Sequence, residues 1–384
     1  MTKIIVKFTI LFIPILLLIS ICLAVGLHFG EIYPLSYVAE LQSEDRKIQY
    51  NLTGTGTKHM QYKYESILVQ EPSLLLMGSS RAWYFREQIA NRCLKEFYNA
   101  SYGNSSIFEI AAMLQKVIDN GKNPEVILLS LDDPDYNAES DYKGVIRQLD
   151  ETSAWEYFID SAKRMIIQVI IHPDAIGDMM NSPKSDSQLG WGFVYDEKPN
   201  YYSGDGNYIE SKFDETYLPV GLDIHHVMIQ NGELQYQSGF TVDNSALQAL
   251  KTVLQLSSDN NIEVIGFIPP FHEEIRNKLE DGTDFAYIPL VHDEINDAFE
   301  SYEFKVYDFS DSKSVGGTDA GMYDGWHSGE LLSTQIYLQL LRNEPEILSK
   351  YSDIDYLEDL IESASDPYNL NIDRAALIKQ QSCE

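Results

Sequence analysis

Two short stretches of this 384-residue chain carry residue types that can do chemistry together. Gly78-Ser79-Ser80-Arg81 follows the apolar run Leu74–Met77, and Asp324-Gly325-Trp326-His327 stands far downstream. A serine hydroxyl is a weak nucleophile and needs a base within hydrogen-bond reach. His327 can be that base, and Asp324 can fix its tautomer from three residues away in the same turn. Together they spell acyl chemistry: Ser80 attacks a carbonyl, and His327 takes the proton and returns it to the leaving group. The oxyanion that forms needs donors, and the backbone N–H groups of Ser80 and Gly103 are expected to supply them. The plainer alternative is that Ser79-Ser80 is a helix N-cap pair and His327 a cap before the next helix.

The elements around these stretches decide between the two. Ser73–Met77, Val126–Leu131 and Ile262–Ile268 are short continuous apolar runs, with weaker strands expected at Glu96–Tyr98 and Phe304–Phe309. Helical spacing marks residues 106–119, with Ile107, Ile110, Leu114, Val117 and Ile118 on one face. Helices are also expected at Arg81–Arg92, around Leu247–Leu254 and from Gly329 to Leu341. Strands buried on both faces and alternating with helices predict an α/β fold, a mainly parallel sheet of about five strands between two helical layers. Ligands bind beyond the C-terminal ends of such strands. Ser80, the Tyr102–Ser106 loop, Asp132 and the Pro269–His272 turn all fall there.

Three other regions frame this domain, expected over residues 71–345. Residues 31–70, with Gly54-Thr55-Gly56-Thr57 at their centre, suggest a tether that becomes structured as it nears the first strand. Residues 140–240 break the alternation and suggest an insertion over the active-site edge, with an apolar segment Met165–Ile171 and a loop-like stretch rich in Tyr, Trp and Gly. Its aromatics, among them Trp191, Tyr195, Tyr201, Tyr202 and Tyr208, either stack on sugars or form the insertion's own small core. Residues 346–384 form an acidic, helical-looking tail.

Composition narrows the function. The net charge of −31 excludes nucleic acid as a partner, because phosphates would be repelled. Cys22, Cys93 and Cys383 offer neither a disulfide framework nor zinc spacing. The run Asp132-Asp133-Pro134-Asp135 lacks the spacing of an EF-hand loop, and neither a metal nor a cofactor is expected. Phe8–Leu27 holds no charge over twenty residues and follows Lys3 and Lys7. At about 1.5 Å per residue it spans roughly 30 Å, the hydrocarbon thickness of a bilayer. A cleaved signal peptide would have a shorter apolar region and a small-residue cleavage site, which Ala24-Val25-Gly26 matches poorly. The expectation is an uncleaved anchor over residues 1–30, N-terminus in the cytoplasm and the rest outside.

Gly78-Ser79-Ser80-Arg81, the Asn99–Gly103 block and Asp324-Gly325-Trp326-His327 resemble the SGNH (GDSL-like) hydrolase superfamily. The nearer resemblance is to its membrane-anchored branch of DltD-like and alginate-acetylation-type proteins, over roughly 72–135 and 245–342. The resemblance implies a flavodoxin-like sheet, a triad of Ser80, Asp324 and His327, and Gly103 as an oxyanion glycine. It also implies a cell-surface glycan as acceptor and a membrane protein as acyl donor. One departure stands out. Where the hydrolytic branch has a Gly-x-Asn block whose asparagine completes the oxyanion hole, this chain has Ser130-Leu131-Asp132. An ionised Asp132 would repel an oxyanion, so Asn104 becomes the nearest substitute donor. Arg81 and Asp132 are candidate substrate contacts, with a salt bridge as the structural alternative for Arg81. The departure tilts the expectation toward O-acyl transfer, with an esterase and a non-catalytic glycan-binding scaffold as alternatives.

Overall fold

The computed structural model describes residues 2–49, 56–141, 154–182, 184–195, 200–209, 217–281, 283–368 and 370. Among these, five strands form one all-parallel sheet: β1 (Leu74–Met77), β2 (Phe97–Asn99), β3 (Val126–Ser130), β4 (Glu263–Ile268) and β5 (Lys305–Asp308). Their order is 2-1-3-4-5, one of the two common doubly wound arrangements. Met77 pairs across to Leu129, and Ser130 to Phe267. β1, β3 and β4 therefore run out close to one level, and the turns that follow them meet at one edge.

The helices used below are α1 (Thr2–Phe29), α2 (Leu35–Ser43), α3 (Gly56–Gln70), α4 (Ile107–Asp119), α5 (Ala154–Ile171), α6 (Tyr217–Asn231), α7 (Asn244–Asp259), α8 (Tyr287–Glu300), α9 (Glu330–Asn343) and α10 (Ile354–Ser363). Strand residues alternate between two apolar layers, as a two-residue period demands. Leu75, Met77, Ile127, Leu129 and Val264 face α3, α4, α7 and α8. Leu74, Leu76, Val126, Leu128, Ile265 and Phe267 face α9 and α10. The strands and the helices at 107–119 and 330–343 lie within one or two residues of the expected bounds.

Three expectations are corrected. Arg81–Arg92 is not one helix but two single 3₁₀ turns, Ser80–Ala82 and Glu87–Ala90. The buried Asn99 amide donates to the carbonyls of Ala82 (2.8 Å) and Phe85 (3.2 Å), which a continuing helix would have used itself. Residues 31–49 are no loose tether either. α2 buries Leu35, Val38 and Leu41, and Lys47–Ile48 pairs with Gln188–Leu189 and Tyr202 of the insertion in a small second sheet. The insertion contributes α5, which contains the apolar segment Met165–Ile171, and α6. Finally, Cys93 is disulfide-bonded while Cys22 is free and buried. Spacing along the chain could not show that pairing, because it depends on distant segments meeting.

The aromatics of the insertion divide. Trp191 is 1% exposed and packs with Phe29 and Met165, and Tyr202 is buried beneath Lys63. These two are core, not a sugar platform. The side chains of Tyr195 and Tyr208, and of residues 2–11 with Lys3 and Lys7, lie outside the described residues. So do residues 50–55, 142–153, 210–216 and 371–384, which include Gly54, Thr55 and Cys383. α1 contains an 18-residue window, Phe12–Phe29, of mean hydropathy 2.5. It is long and apolar enough to cross a membrane, and Pro14 lies within it without ending it.

Candidate active site

Ser80 begins the 3₁₀ turn directly after β1. Gly78 makes that turn possible by close approach: a Cβ there would lie 2.6 Å from Ser130 Cβ on β3. The Gly78 carbonyl accepts from Ser105 Oγ at 2.6 Å and from Tyr102 N at 3.3 Å, so the loop after β2 is stitched to the end of β1. Ser79 Oγ accepts from Arg81 N at 3.2 Å, the capping role that its residue type suggests, and leaves Ser80 to point elsewhere.

Ser80 Oγ lies 2.9 Å from His327 Nε2, and His327 Nδ1 lies 2.9 Å from Asp324 Oδ2. The turn that carries both residues is closed at its base by Tyr323 N donating to His327 O at 2.8 Å. Asp324 Oδ1 accepts from the backbone N–H of Trp326 and of His327, each at 2.7 Å. The Trp83 ring lies parallel to the imidazole at a centroid distance of 6.0 Å. Residues separated by 247 positions thus form one hydrogen-bonded line at the strand ends.

A second histidine reaches the same carboxylate. His225 of α6 is 7% exposed, and its Nε2 lies 3.6 Å from Asp324 Oδ1, an ion-pair distance rather than a tight hydrogen bond. Its Nδ1 lies 2.9 Å from the Tyr236 hydroxyl. Burial alone would raise the Asp324 carboxyl. His327 beside it, with the contacts from both histidines, holds it well below the usual carboxylate range. Sequence reasoning missed His225 and Tyr236, because both lie in the insertion with no local motif. The trace that could have found them is Gly325. It does not adopt a left-handed turn, and what it supplies is space: a Cβ there would sit 2.7 Å from Ile275 Cγ1 and 3.1 Å from the His225 ring.

A cleft of about 110 Å³ opens beside Ser80, lined by Asn104, Asp132, Asp135, Gln235, Trp326 and His327 among others. Asn104 stands at φ 57°, a left-handed conformation that asparagine tolerates. Gly103 is not among the lining residues and packs against Trp83. Among the described residues, neither the Ser80 nor the Gly103 N–H is committed to a protein acceptor. Burial pushes Asp132 above its ordinary value against the pull of Arg81 and Ser79. It pushes Asp135 well above, with the charge of Asp132 adding to the effect, although Asp135 Oδ2 accepts from Ile107 N at 2.9 Å.

Arg81 does not contact this cleft, which corrects its candidacy as a substrate contact. It is fully buried, its guanidinium carbon 4.1 Å from the Phe271 ring centroid and 4.6 Å from that of Trp326, two rings that meet edge-to-face. Its Nη2 donates to the carbonyls of Pro269 (2.5 Å) and Pro270 (2.9 Å), and its Nη1 faces Asp132 at 3.5 Å. It ties three strand-end turns together. His272 is buried against Asp319 and also lies outside the cleft. Asp133 pairs with His292 at 3.0 Å, and no cluster of metal-ligating side chains occurs among the described residues. Protein-family models give no match to this chain, and neither do curated proteins.

Proposed function

We propose that this protein is a membrane-anchored, extracytoplasmic O-acyltransferase that works through an acyl-Ser80 intermediate, with a short acyl group such as acetyl. The observation that carries the reading is the unbroken line Ser80 Oγ–His327 Nε2–Asp324, two contacts of 2.9 Å each. As Ser80 Oγ forms its bond to the donor carbonyl carbon, His327 Nε2 takes the hydroxyl proton. The carbonyl electrons move to oxygen, which the Ser80 N–H and the Asn104 region would stabilise. Collapse expels the donor's leaving group, which takes the proton from His327. An acceptor hydroxyl then attacks acyl-Ser80 by the same path in reverse order. Asp324 stays charged and stabilises the imidazolium.

The 2-1-3-4-5 order is that of flavodoxin-like sheets, and it supports placing the chain in the SGNH superfamily. Asp132 then stands where a neutral asparagine is expected. Burial disfavours the ionised form that would repel an oxyanion, which works against the conflict without removing it. The small cleft favours a short acyl group. A glycan hydroxyl as acceptor and a membrane protein as donor rest on the resemblance alone. A disulfide at Cys93 and an apolar N-terminal helix both fit a domain outside the cytoplasm.

The test is labelling by a fluorophosphonate probe. Wild-type protein is expected to label at Ser80 and the Ser80→Ala variant to lose the label. No labelling between pH 6 and 9, on a folded protein, would favour a non-catalytic glycan-binding scaffold. With an activated acetyl ester as donor, acetate release that ignores added oligosaccharide would favour an esterase.

A further inference from the structure

We propose that the helical hairpin formed by α5 and residues 175–181 seats on the outer surface of the lipid bilayer, giving the domain a second membrane contact beside α1. The exposed face of α5 changes chemistry along its length. Positions 156, 160, 163, 167 and 170 follow at steps of three and four and so lie on one side of the helix. The first three are the exposed Glu156, Asp160 and Lys163. The next two are Ile167 and Ile170, 55% and 61% exposed, joined by Ile171 at 61% and by Met180 at 78% in the returning helix. A helix that only faced water would have no reason to turn apolar halfway along.

The opposite face says what lies beside it. Met165, Val169 and Ala175 pack against Cys22, Val25 and Phe29, the last two turns of α1. His28 Nε2 meets the Ser182 carbonyl at 2.9 Å where the hairpin returns. Leu16, Leu17 and Ile13 of α1 are themselves 57–59% exposed, an apolar surface one helix wide that needs a non-aqueous partner. The apolar end of α5 is thus continuous with the end of α1, and its charged end points away from it. Lys163 and Ile167 are one turn apart, about 5.4 Å. The water–lipid boundary falls between them, and the isoleucines reach the headgroup–acyl boundary, a depth of about 5–10 Å. Asp174, exposed at the hairpin tip, keeps the seating at headgroup depth. Two contacts fix the tilt of the domain, where one helix would let it swing.

The inference rests on α1 being an anchor, and the test separates the two. The full chain carrying Cys22→Ser is spin-labelled singly through Leu16→Cys, Lys163→Cys, Ile167→Cys or Ile170→Cys and reconstituted in phosphatidylcholine–phosphatidylglycerol vesicles. Collision with oxygen, which partitions into lipid, is compared with collision with a water-soluble nickel chelate. The labels at 16, 167 and 170 are expected to be oxygen-accessible and chelate-shielded, with the opposite result at 163. A label at 170 as open to the chelate as that at 163, while 16 stays shielded, rejects the seating and spares the anchor. A chelate-exposed label at 16 rejects both.

Discussion

Asp324 and Asp132 are the same residue type, both poorly exposed, at the same edge of one sheet, yet their surroundings drive them apart. Asp324 has two histidines and two backbone N–H groups around it, and these outweigh its burial. Asp132 has one guanidinium at 3.5 Å, already committed to two carbonyls, and burial wins. The difference assigns roles. A carboxylate held ionised can stabilise an imidazolium, whereas one whose ionisation burial disfavours is less firmly held as an anion. Burial alone does not decide the charge of a carboxyl; the count of donors aimed at it does.

Substitutions can break this contrast, and the largest effect is expected at Asp324. Asp324→Asn removes the anion behind His327 and presents the ring with the wrong tautomer. Acyl transfer should fall on the order of 10⁴-fold with the fold intact by circular dichroism. A fall of less than tenfold would make Asp324 a structural cap.

Arg81→Met tests the other side of the pair. It removes the cation packed on Phe271 and Trp326 and leaves the Pro269 and Pro270 carbonyls unpaired, so stability to urea should drop by about 3 kcal/mol. An unchanged unfolding midpoint would contradict the role given to Arg81 in tying the strand-end turns.

His225→Phe keeps the ring's bulk over Gly325 but deletes its contact with Asp324. The loss of one interaction with a charged group is expected to cost about tenfold in kcat/KM, and the buried Tyr236 hydroxyl, left without its His225 partner, about 1–3 kcal/mol of stability. If stability falls and kcat/KM does not, His225 serves only packing.

Asp132→Asn should change the pH profile of kcat/KM more than its maximum. The sign follows from the direction of the shift. Asp132 is raised, so it is neutral below its folded pKa and ionises as pH climbs through that value, losing its proton for donation. Wild-type kcat/KM should therefore decline on the alkaline side of that pKa, and the asparagine variant should lack that decline. Identical profiles would remove Asp132 from the oxyanion site.

The same contrast marks what was legible in the sequence. Asp324 could be assigned because its partner lies three residues away, and a short turn encodes the pair. The sheet could be assigned because strands such as Leu74–Met77 and Val126–Ser130 are apolar on both faces, a pattern that needs no neighbour to interpret. Asp132 could not be assigned by sequence, because its state depends on Arg81 from a different strand end. Nor could the 3₁₀ turns after Ser80, which are set by the Asn99 amide, or the bridge at Cys93. His225 lay in an insertion whose helices pack on α1, on the turn that carries Asp324 and His327, and on the rim of the main core through Leu222, Met228 and Ile229. Local periodicity reports elements that bury one face on the main core, and it is silent about side chains that meet across the edge.

The central claim is that Ser80 becomes acylated. Peptide mapping by mass spectrometry, after acid quenching of a short reaction between the full-length protein and an activated acetyl ester, tests it directly. The account predicts one acetyl group on the peptide containing Ser80, absent in Ser80→Ala and depleted when a hydroxyl acceptor is supplied. Turnover of the ester with no acetyl group on that peptide, and at the same rate in Ser80→Ala, would contradict it.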